Sequence, residues 1–207
     1  MGLPDIRAVL VDMDGTLVDS DGAVDRTWTL WAQEYGVPPA DALAIAHGSP
    51  SEATIARLRP DLGPAGVSAA AARLLDLECE DLTDVVPAPG AHELIEVLER
   101  LGLPWAVFTS ASTRLAKVRL GATGISPSIL VTVDDVSRGK PDPEGYLRAA
   151  ELVGVPAERC LVVEDTEVGL AAGRAAGAVT AGLKGTTADI ELPDLHRLVT
   201  LFTAQVE

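Results

Sequence analysis

The chain has 207 residues, 47 % of them hydrophobic, so it is long and apolar enough to bury a full core. Its formal net charge of −15 argues against nucleic acid or an anionic membrane as a partner, and any site for an anion must supply its own positive charge. Two cysteines without metal-ligand spacing, and no apolar run resembling a signal peptide or membrane helix, lead us to expect reduced thiols and a cytoplasmic protein.

The elements in chain order alternate between strand and helix patterns. The first strand is expected over 8–14, a continuous apolar run that ends in two carboxylates. Such runs are typical of strands that are buried on both faces. Similar runs follow at 105–109, 129–133, 160–164 and 178–181, and helical patterns occupy 91–101, 143–153 and 166–176. This alternation predicts an α/β fold, a doubly wound, Rossmann-like parallel sheet.

One long segment interrupts the alternation. Between about 22 and 83 the sequence has no convincing strand, only helical patterns near 22–35, 40–46, 51–58 and 67–81. Because this segment directly follows the first strand, it reads as an insertion with hinges at 18–20 and 85–90. We therefore expect an α/β core formed by 1–18 and 87–207, and an all-helical cap over 19–86.

Two carboxylates stand where the first strand is expected to end. Side chains two apart in a strand point the same way, so Asp12 and Asp14 can face one site at the carboxyl edge of the sheet. At ~4 Å the two charges repel by about 1 kcal/mol in water and ~4 kcal/mol at an effective dielectric near 20. A divalent cation that prefers oxygen ligands, such as Mg²⁺, would relieve this repulsion. Alternatively, Asp14-Gly15 is only a turn.

Three further segments place polar groups after predicted strands. Thr109, Ser110 and Ala111 offer hydroxyl and amide donors for phosphate oxygens, although such residues also cap helices. Lys140 lies just before Pro141, where its ammonium can bridge a carboxylate and a phosphate or simply face solvent. Glu164-Asp165 is a pair of adjacent acids, of which one can bind metal directly while the other binds through water or braces the lysine.

Together these segments resemble the motifs of the haloacid dehalogenase superfamily in residues, order and spacing. Asp-Met-Asp-Gly-Thr-Leu-Val-Asp-Ser at 12–20 matches the first motif, Thr109-Ser110 the second, Lys140 the third and Glu164-Asp165 the fourth. The resemblance extends from residue 8 to about 183. A helical cap between motifs one and two is similar to the subgroup that holds sugar-phosphate phosphatases and β-phosphoglucomutase.

The resemblance implies a mechanism and a role for each matched residue. Asp12 is the nucleophile that becomes an aspartyl phosphate, and Asp14 is the general acid and then the general base. Lys140, Ser110, Thr109 and Ala111 hold the phosphate. Mg²⁺ binds Asp12, Asp165, the backbone carbonyl of Asp14 and Glu164.

Several other activities remain as alternatives. Asp14 disfavours a dehalogenase, and the lack of any lysine between Thr16 and Val86 disfavours a phosphonate hydrolase that forms a Schiff base in the cap. The mutase of the subgroup has a histidine ten residues after the second aspartate, where this chain has Val24. Hydrolysis is therefore preferred over mutase activity. A non-catalytic protein that binds a phosphorylated ligand is an alternative of a different class.

The cap should determine the substrate. His47-Gly48 joins two cap helices and is a candidate substrate contact, as the resemblance also implies. Trp28 and Trp31 share a helix face and serve either packing or substrate binding. The cap has few cations, so a second phosphate pocket is not expected. We expect a small phosphorylated metabolite as the ligand, of the sugar phosphate or glycerol 3-phosphate class, and a monomer or weak dimer.

Overall fold

The computed structural model describes residues 5–46 and 50–204. Its main feature is a six-stranded sheet with the order β5-β4-β1-β6-β7-β8, in which every neighbouring pair is parallel. The strands are β1 Ala8–Val11, β2 Val18–Asp19, β3 Val86–Pro87, β4 Trp105–Phe108, β5 Leu130–Val131, β6 Cys160–Glu164, β7 Val179–Gly182 and β8 Ile190–Glu191, of which β2 and β3 form a separate pair. The expected parallel α/β fold is confirmed.

Helices cover both faces of this sheet, as a doubly wound fold requires. The helices are α1 Asp21–Glu34, α2 Pro39–Ala46, α3 Ser51–Leu58, α4 Gly63–Glu80, α5 Ala91–Arg100, α6 Thr113–Thr123, α7 Glu144–Val153, α8 Glu167–Ala175 and α9 His196–Thr203. Strand β1 alternates between the two faces. Val9 and Val11 pack with residues of α5, α6 and α9, whereas Ala8 and Leu10 pack with residues of α7 and α8. No described helix has the length and apolar character needed to cross a bilayer.

Helices α1 to α4 have a hydrophobic core of their own. Its fully buried members include Trp31, Ile55 and Leu74, and all its buried residues lie between Val24 and Leu77. A short antiparallel ribbon joins this cap to the sheet domain, because β2 pairs with β3 at the two points where the chain enters and leaves the cap. The ribbon and the separate core support the predicted boundaries, 1–18 with 87–207 and 19–86, which stay a prediction.

The structure departs from the predicted elements at several places. Strand β1 ends at Val11 and not at Asp14, because the chain turns at Met13, whose carbonyl accepts hydrogen bonds from the amides of 16, 17 and 18. Strand β5 has two residues and is followed by a 3-10 helix over 133–135. Helices α6 and α9 and the short β8 were not predicted. The two cysteines are not paired with each other.

Candidate active site

The carboxyl ends of three adjacent strands meet at one cavity. Asp12 follows β1, Thr109 follows β4 and Glu164 ends β6, and these strands are neighbours in the order β4-β1-β6. Open α/β sheets bind ligands at this edge. The cavity has a volume of about 560 Å³ and lies between these strand ends and the cap helices α1, α3 and α4. All four motif segments thus reach one site.

Lys140 is the centre of the buried charges in this site. Its side chain is 4 % exposed, and its Nζ donates hydrogen bonds to Oδ1 of Asp12 and, at 3.3 Å, to the carbonyl oxygen of Phe108. The same Nζ lies 2.6 Å from Oε1 of Glu164. Burial alone would lower the pKa of the lysine, but the two carboxylates outweigh burial and raise it. The ammonium is therefore charged at neutral pH and lies against the expected nucleophile.

Three carboxylates cluster beside this ammonium, and two of them, Asp12 and Glu164, pair with it. One oxygen each from Asp12, Glu164 and Asp165 lies within 4.8 Å of the others. Burial, followed by repulsion from Glu164, raises the pKa of Asp12 well above its usual range, although Lys140 opposes this. Burial also raises the pKa of Asp165, opposed mainly by Lys184. The cluster holds more negative than positive charge, and a divalent cation with oxygen ligands fits this donor set.

The two acids after β6 are used differently. Both oxygens of Glu164 are engaged: Oε1 accepts from Lys140 and from the hydroxyl of Tyr146 at 2.8 Å, and Oε2 accepts from the hydroxyl of Thr166 at 3.1 Å. Asp165 lies on the cavity and bonds Lys184 at 3.1 Å. This geometry favours Glu164 as the brace of the lysine and Asp165 as the direct metal ligand, the two roles that the sequence left open between them.

Asp14 lies on the same cavity, but not for the reason the sequence suggested. The strand ends before it, so Asp14 reaches the site from a loop. Its Oδ1 accepts a hydrogen bond from Ser20 at 2.7 Å and forms an ion pair with Arg119 at 2.8 Å. The carboxylate of Asp14 is not part of the three-acid cluster, which is consistent with metal binding through its backbone carbonyl only.

Glycine at position 15 is required by the close approach of the chain to Asp165 and Lys184. Gly15 has φ +80°, and a Cβ there would overlap the carboxylate of Asp165 and the ammonium of Lys184. A second glycine, Gly169 on α8, leaves room for the Glu164 carboxylate in the same way. Both glycines therefore permit the acid cluster to pack.

The segment after β4 forms the side of the cavity expected to hold phosphate. Thr109, Ser110 and Ala111 line it. The amide of Ala111 donates to Oγ1 of Thr109 at 3.0 Å, so this amide is already used within the loop. Ser112 caps α6 by accepting from the amide of Leu115 at 3.4 Å. Ser110 is therefore the more available hydroxyl, and Thr109 orders the loop.

The predicted cap contacts have mixed outcomes. His47 and Gly48 lie outside the described residues. Trp31 is fully buried in the cap core, where its Nε1 donates to the carbonyl of Ala70 at 3.0 Å, so it serves packing within the cap. Trp28 is also buried but borders the cavity.

Two cations of the site were missed by sequence reasoning. Arg119 on α6 and Lys184 after β7 bind Asp14 and Asp165, and no short motif marks either of them. Only the helix pattern could have indicated Arg119, because this arginine lies on the side of α6 that is otherwise largely apolar. Lys184 has φ 52°, which is uncommon for a lysine and not readable from the sequence.

The known proteins that this chain resembles include phosphatases. The chain is 38 % identical to hexitol phosphatase A of Escherichia coli over 83 % of this chain and 80 % of that protein. It is 35 % identical to 2-deoxyglucose-6-phosphate phosphatase 1 of Saccharomyces cerevisiae, over 84 % and 78 % respectively. In fold it is similar to a HAD hydrolase of family IA from Entamoeba histolytica, with a TM-score of 0.84, 22 % identity and coverage of 96 % and 100 %.

The family assignment rests on most of the chain's length. A model of the haloacid dehalogenase-like hydrolases matches residues 6–177, a range that includes all four motif segments and the whole cap. The resemblance seen in the motifs is therefore confirmed, and the chain belongs to the haloacid dehalogenase-like hydrolase family.

Proposed function

We propose that this chain hydrolyses the monophosphate esters of small sugars or polyols, with Mg²⁺ as cofactor and an aspartyl phosphate on Asp12 as intermediate. Its family and its phosphatase relatives, including the two described above, make it a phosphoric monoester hydrolase. The observation that carries the rest is the placement of Asp12: a buried carboxylate on the cavity, bonded to Lys140 and clustered with Asp165.

The residues that would hold the cation are Asp12 and Asp165 through their carboxylates and Asp14 through its backbone carbonyl, with Glu164 behind them. When bound, the cation would neutralise charge on the phosphoryl oxygens. Two buried acids and the partly buried Asp165 support this assignment, since such a cluster of negative charges is costly without further positive charge.

The chain's own residues then account for two displacements. The Asp12 carboxylate attacks phosphorus, the bond to the ester oxygen breaks, and Asp14 donates a proton to that oxygen as the alcohol leaves. Asp14, now ionised, takes a proton from a water that attacks the phosphorus, and the bond between phosphorus and Asp12 breaks to release phosphate. Lys140 and Ser110 hold the remaining phosphoryl oxygens through both steps.

The lining of the cavity supports a neutral, hydroxyl-rich leaving group. Among the described residues, Lys140 and Arg119 are the cations on its wall, and both are already paired with carboxylates. A second phosphate group would therefore find no free cation among these described lining residues. The cap side offers Ser51, Glu52 and Ser68, which can accept or exchange hydrogen bonds with substrate hydroxyls. These features, together with the two relatives, favour a sugar or polyol.

Val24 favours hydrolysis over the mutase alternative. It lines the cavity at the position where the mutase has a histidine, so no proton acceptor is available there. A non-catalytic binding protein is disfavoured by the paired Asp12 and Lys140, which leave the nucleophile in place. A cytoplasmic location, a monomer or weak dimer, and the lack of nucleic-acid and membrane partners stay predictions.

The test is a panel of sugar, polyol and aryl monophosphates assayed with Mg²⁺ and after its removal by chelation. We expect phosphate release that depends on the metal, and a loss of about 10⁴-fold or more for Asp12→Asn. Asp41→Asn, which changes an exposed aspartate of α2, serves as the matched control and should behave as wild type. Release that is independent of metal, or that survives Asp12→Asn, would refute the proposal.

A further inference from the structure

The strongest unexplained feature is a buried arginine between the core and the cap. Arg119 lies on α6, and its side chain is 3 % exposed. It borders the cavity, but none of the four motifs includes it. Removing a guanidinium from water costs several kcal/mol, so it needs strong partners.

Its partners come from two different parts of the molecule. Nη1 lies 2.8 Å from Oδ1 of Asp14, which belongs to the strand-end loop of the core. Nη2 donates to Oε1 of Glu78 on the cap helix α4 at 3.2 Å. Burial alone would lower the pKa of the guanidinium, but these two carboxylates outweigh burial and raise it. The arginine is thus held as a cation between two acids.

The remaining donor shows that packing alone does not explain the residue. Nε of Arg119 is buried and has no hydrogen-bond partner within the described part of the chain. Unpartnered buried polar atoms are rare and costly. The two terminal nitrogens are used and Nε is not, which indicates that the contacts to Asp14 and Glu78 account for the arginine at this position.

The contact on Asp14 leaves one of its oxygens for chemistry. Ser20 and Arg119 both bind Oδ1, and no hydrogen bond from the described residues reaches Oδ2. A carboxylate held through one oxygen by two buried donors is restrained in its orientation, while its second oxygen stays able to exchange a proton. This is the arrangement that a general acid and base requires.

We infer that Arg119 is a positioning residue: it orients Asp14 towards the leaving group, and Glu78 of the cap holds it in place. The inference rests on the proposed function, since it concerns proton transfer by Asp14. It assigns a role to a core helix and to a cap residue that none of the motifs contains. It also makes the orientation of Asp14 depend on where α4 lies.

A neighbouring ion pair provides a matched control. Arg114 also lies on α6 and pairs with Asp76 of α4 at 2.6 Å, but its side chain is 57 % exposed and it does not border the cavity. Arg114→Gln removes one arginine bridge between the same two helices without touching Asp14. Arg114→Gln therefore measures what the loss of an exposed bridge between α6 and α4 does without any change at Asp14.

The experiment compares two leaving groups in the full chain with Mg²⁺. An alkyl phosphate needs a proton from Asp14 when its alcohol leaves, whereas p-nitrophenyl phosphate releases a stable anion that needs little protonation. Because kcat/KM covers the steps up to release of the alcohol, it isolates the acid role. We expect Arg119→Gln to lower kcat/KM about 10²-fold for the best alkyl ester and less than about 10-fold for the aryl ester.

A second measurement separates positioning from a general loss of structure. In the Asp14→Asn background, Arg119→Gln should leave the ratio of alkyl to aryl kcat/KM unchanged, because the group that Arg119 positions can no longer donate a proton. Arg114→Gln should leave that ratio unchanged in either background. Equal losses on both esters in Arg119→Gln would overturn the inference while leaving the proposed function intact.

Two further variants keep the test decisive if Arg119→Gln is too unstable to assay. Arg119→Lys keeps a charge but loses the fork that holds two carboxylates, so a smaller selective loss on the alkyl ester is expected. Glu78→Gln should shift the ratio in the same direction by a few-fold. An unchanged ratio in both variants would overturn the inference, and a wild type inactive on both esters would instead refute the proposed function.

Discussion

The carboxyl end of the sheet and the cap differ in where their charged residues lie. At the carboxyl ends of the strands, the Lys140 and Glu164 side chains are 4 % and 1 % exposed and lie 2.6 Å apart. On the cap, Arg26 pairs with Asp81 and Asp84 through side chains that are 24–48 % exposed. Buried charges are expensive to misplace, whereas exposed pairs contribute little.

The difference shows where substitutions are least tolerated. At the carboxyl ends of the strands each acid or base must be a particular residue type, because its neighbours are buried and unsolvated. The cap instead needs apolar volume inside and polar residues outside, a requirement that many sequences meet. The candidate catalytic residues therefore lie in short sequence motifs. The residues that line the cavity come together only when whole helices pack.

Of the variants that test this contrast between buried and exposed charges, the one that removes the buried ammonium has the largest expected effect. Lys140→Met takes away the cation that lies against Asp12 and is expected to bind the transferred phosphoryl group. Loss of one such donor typically lowers kcat about 10²–10³-fold. Steady-state kinetics on the best sugar phosphate measure the effect.

Lys117→Met is the control, since it removes an exposed lysine from α6. This variant should keep the wild-type kcat. If Lys140→Met stayed within about 3-fold of wild type, the contrast between buried and exposed charges would lose its basis.

The same contrast explains what the sequence predicted and what it did not. Strands β1, β4 and β6 and the acids after them were predictable, since buried parallel strands read as continuous apolar runs and their carboxyl ends carry the polar groups. The role of Arg119 was not predictable, because it depends on an ion pair with Glu78, which is 41 positions away in the sequence. That pairing exists only after α6 and α4 have packed together.

Short elements were not predicted for a different reason. Strand β8 pairs with β7 at the edge of the sheet and has only two residues, too few to show an alternating pattern. The early end of β1 also has a local cause, because the amides that follow bond to the Met13 carbonyl and turn the chain before Asp14.

An effect of intermediate size, on stability, is expected from a substitution in the cap core. Trp31→Ala removes a fully buried ring that stacks on Tyr35 with centroids 4.8 Å apart. Truncation of a buried tryptophan typically costs about 3–5 kcal/mol of unfolding free energy. Urea unfolding measures this cost through the midpoint and slope.

Leu30→Ala, on the same helix but 46 % exposed, is the matched control. It should change the unfolding free energy by less than about 0.5 kcal/mol. A loss under about 1 kcal/mol for Trp31→Ala would show that the cap core contributes less than its burial indicates.

The smallest effect is expected from the exposed network around Arg26, and it should depend on pH. Hydrogen bonds from Arg26 lower the pKa of Asp81 to about 2. An aspartate in an unfolded chain has a pKa of ~3.9. A lowered folded pKa stabilises the protein above the unfolded pKa, and this stabilisation is lost as the pH falls towards the folded value.

Arg26→Gln should therefore lower Tm by about 1–3 °C at pH 7, since exposed pairs are weak. The difference from wild type should shrink between pH 4 and pH 2, and ~1 M salt should reduce it at pH 7 because salt screens exposed charges. Arg57→Gln, which removes an exposed arginine of α3 outside this network, should show neither dependence. A difference that grew as the pH fell would mean that Asp81 gains nothing from Arg26, and that exposed charges on the cap act through some contact other than this pair.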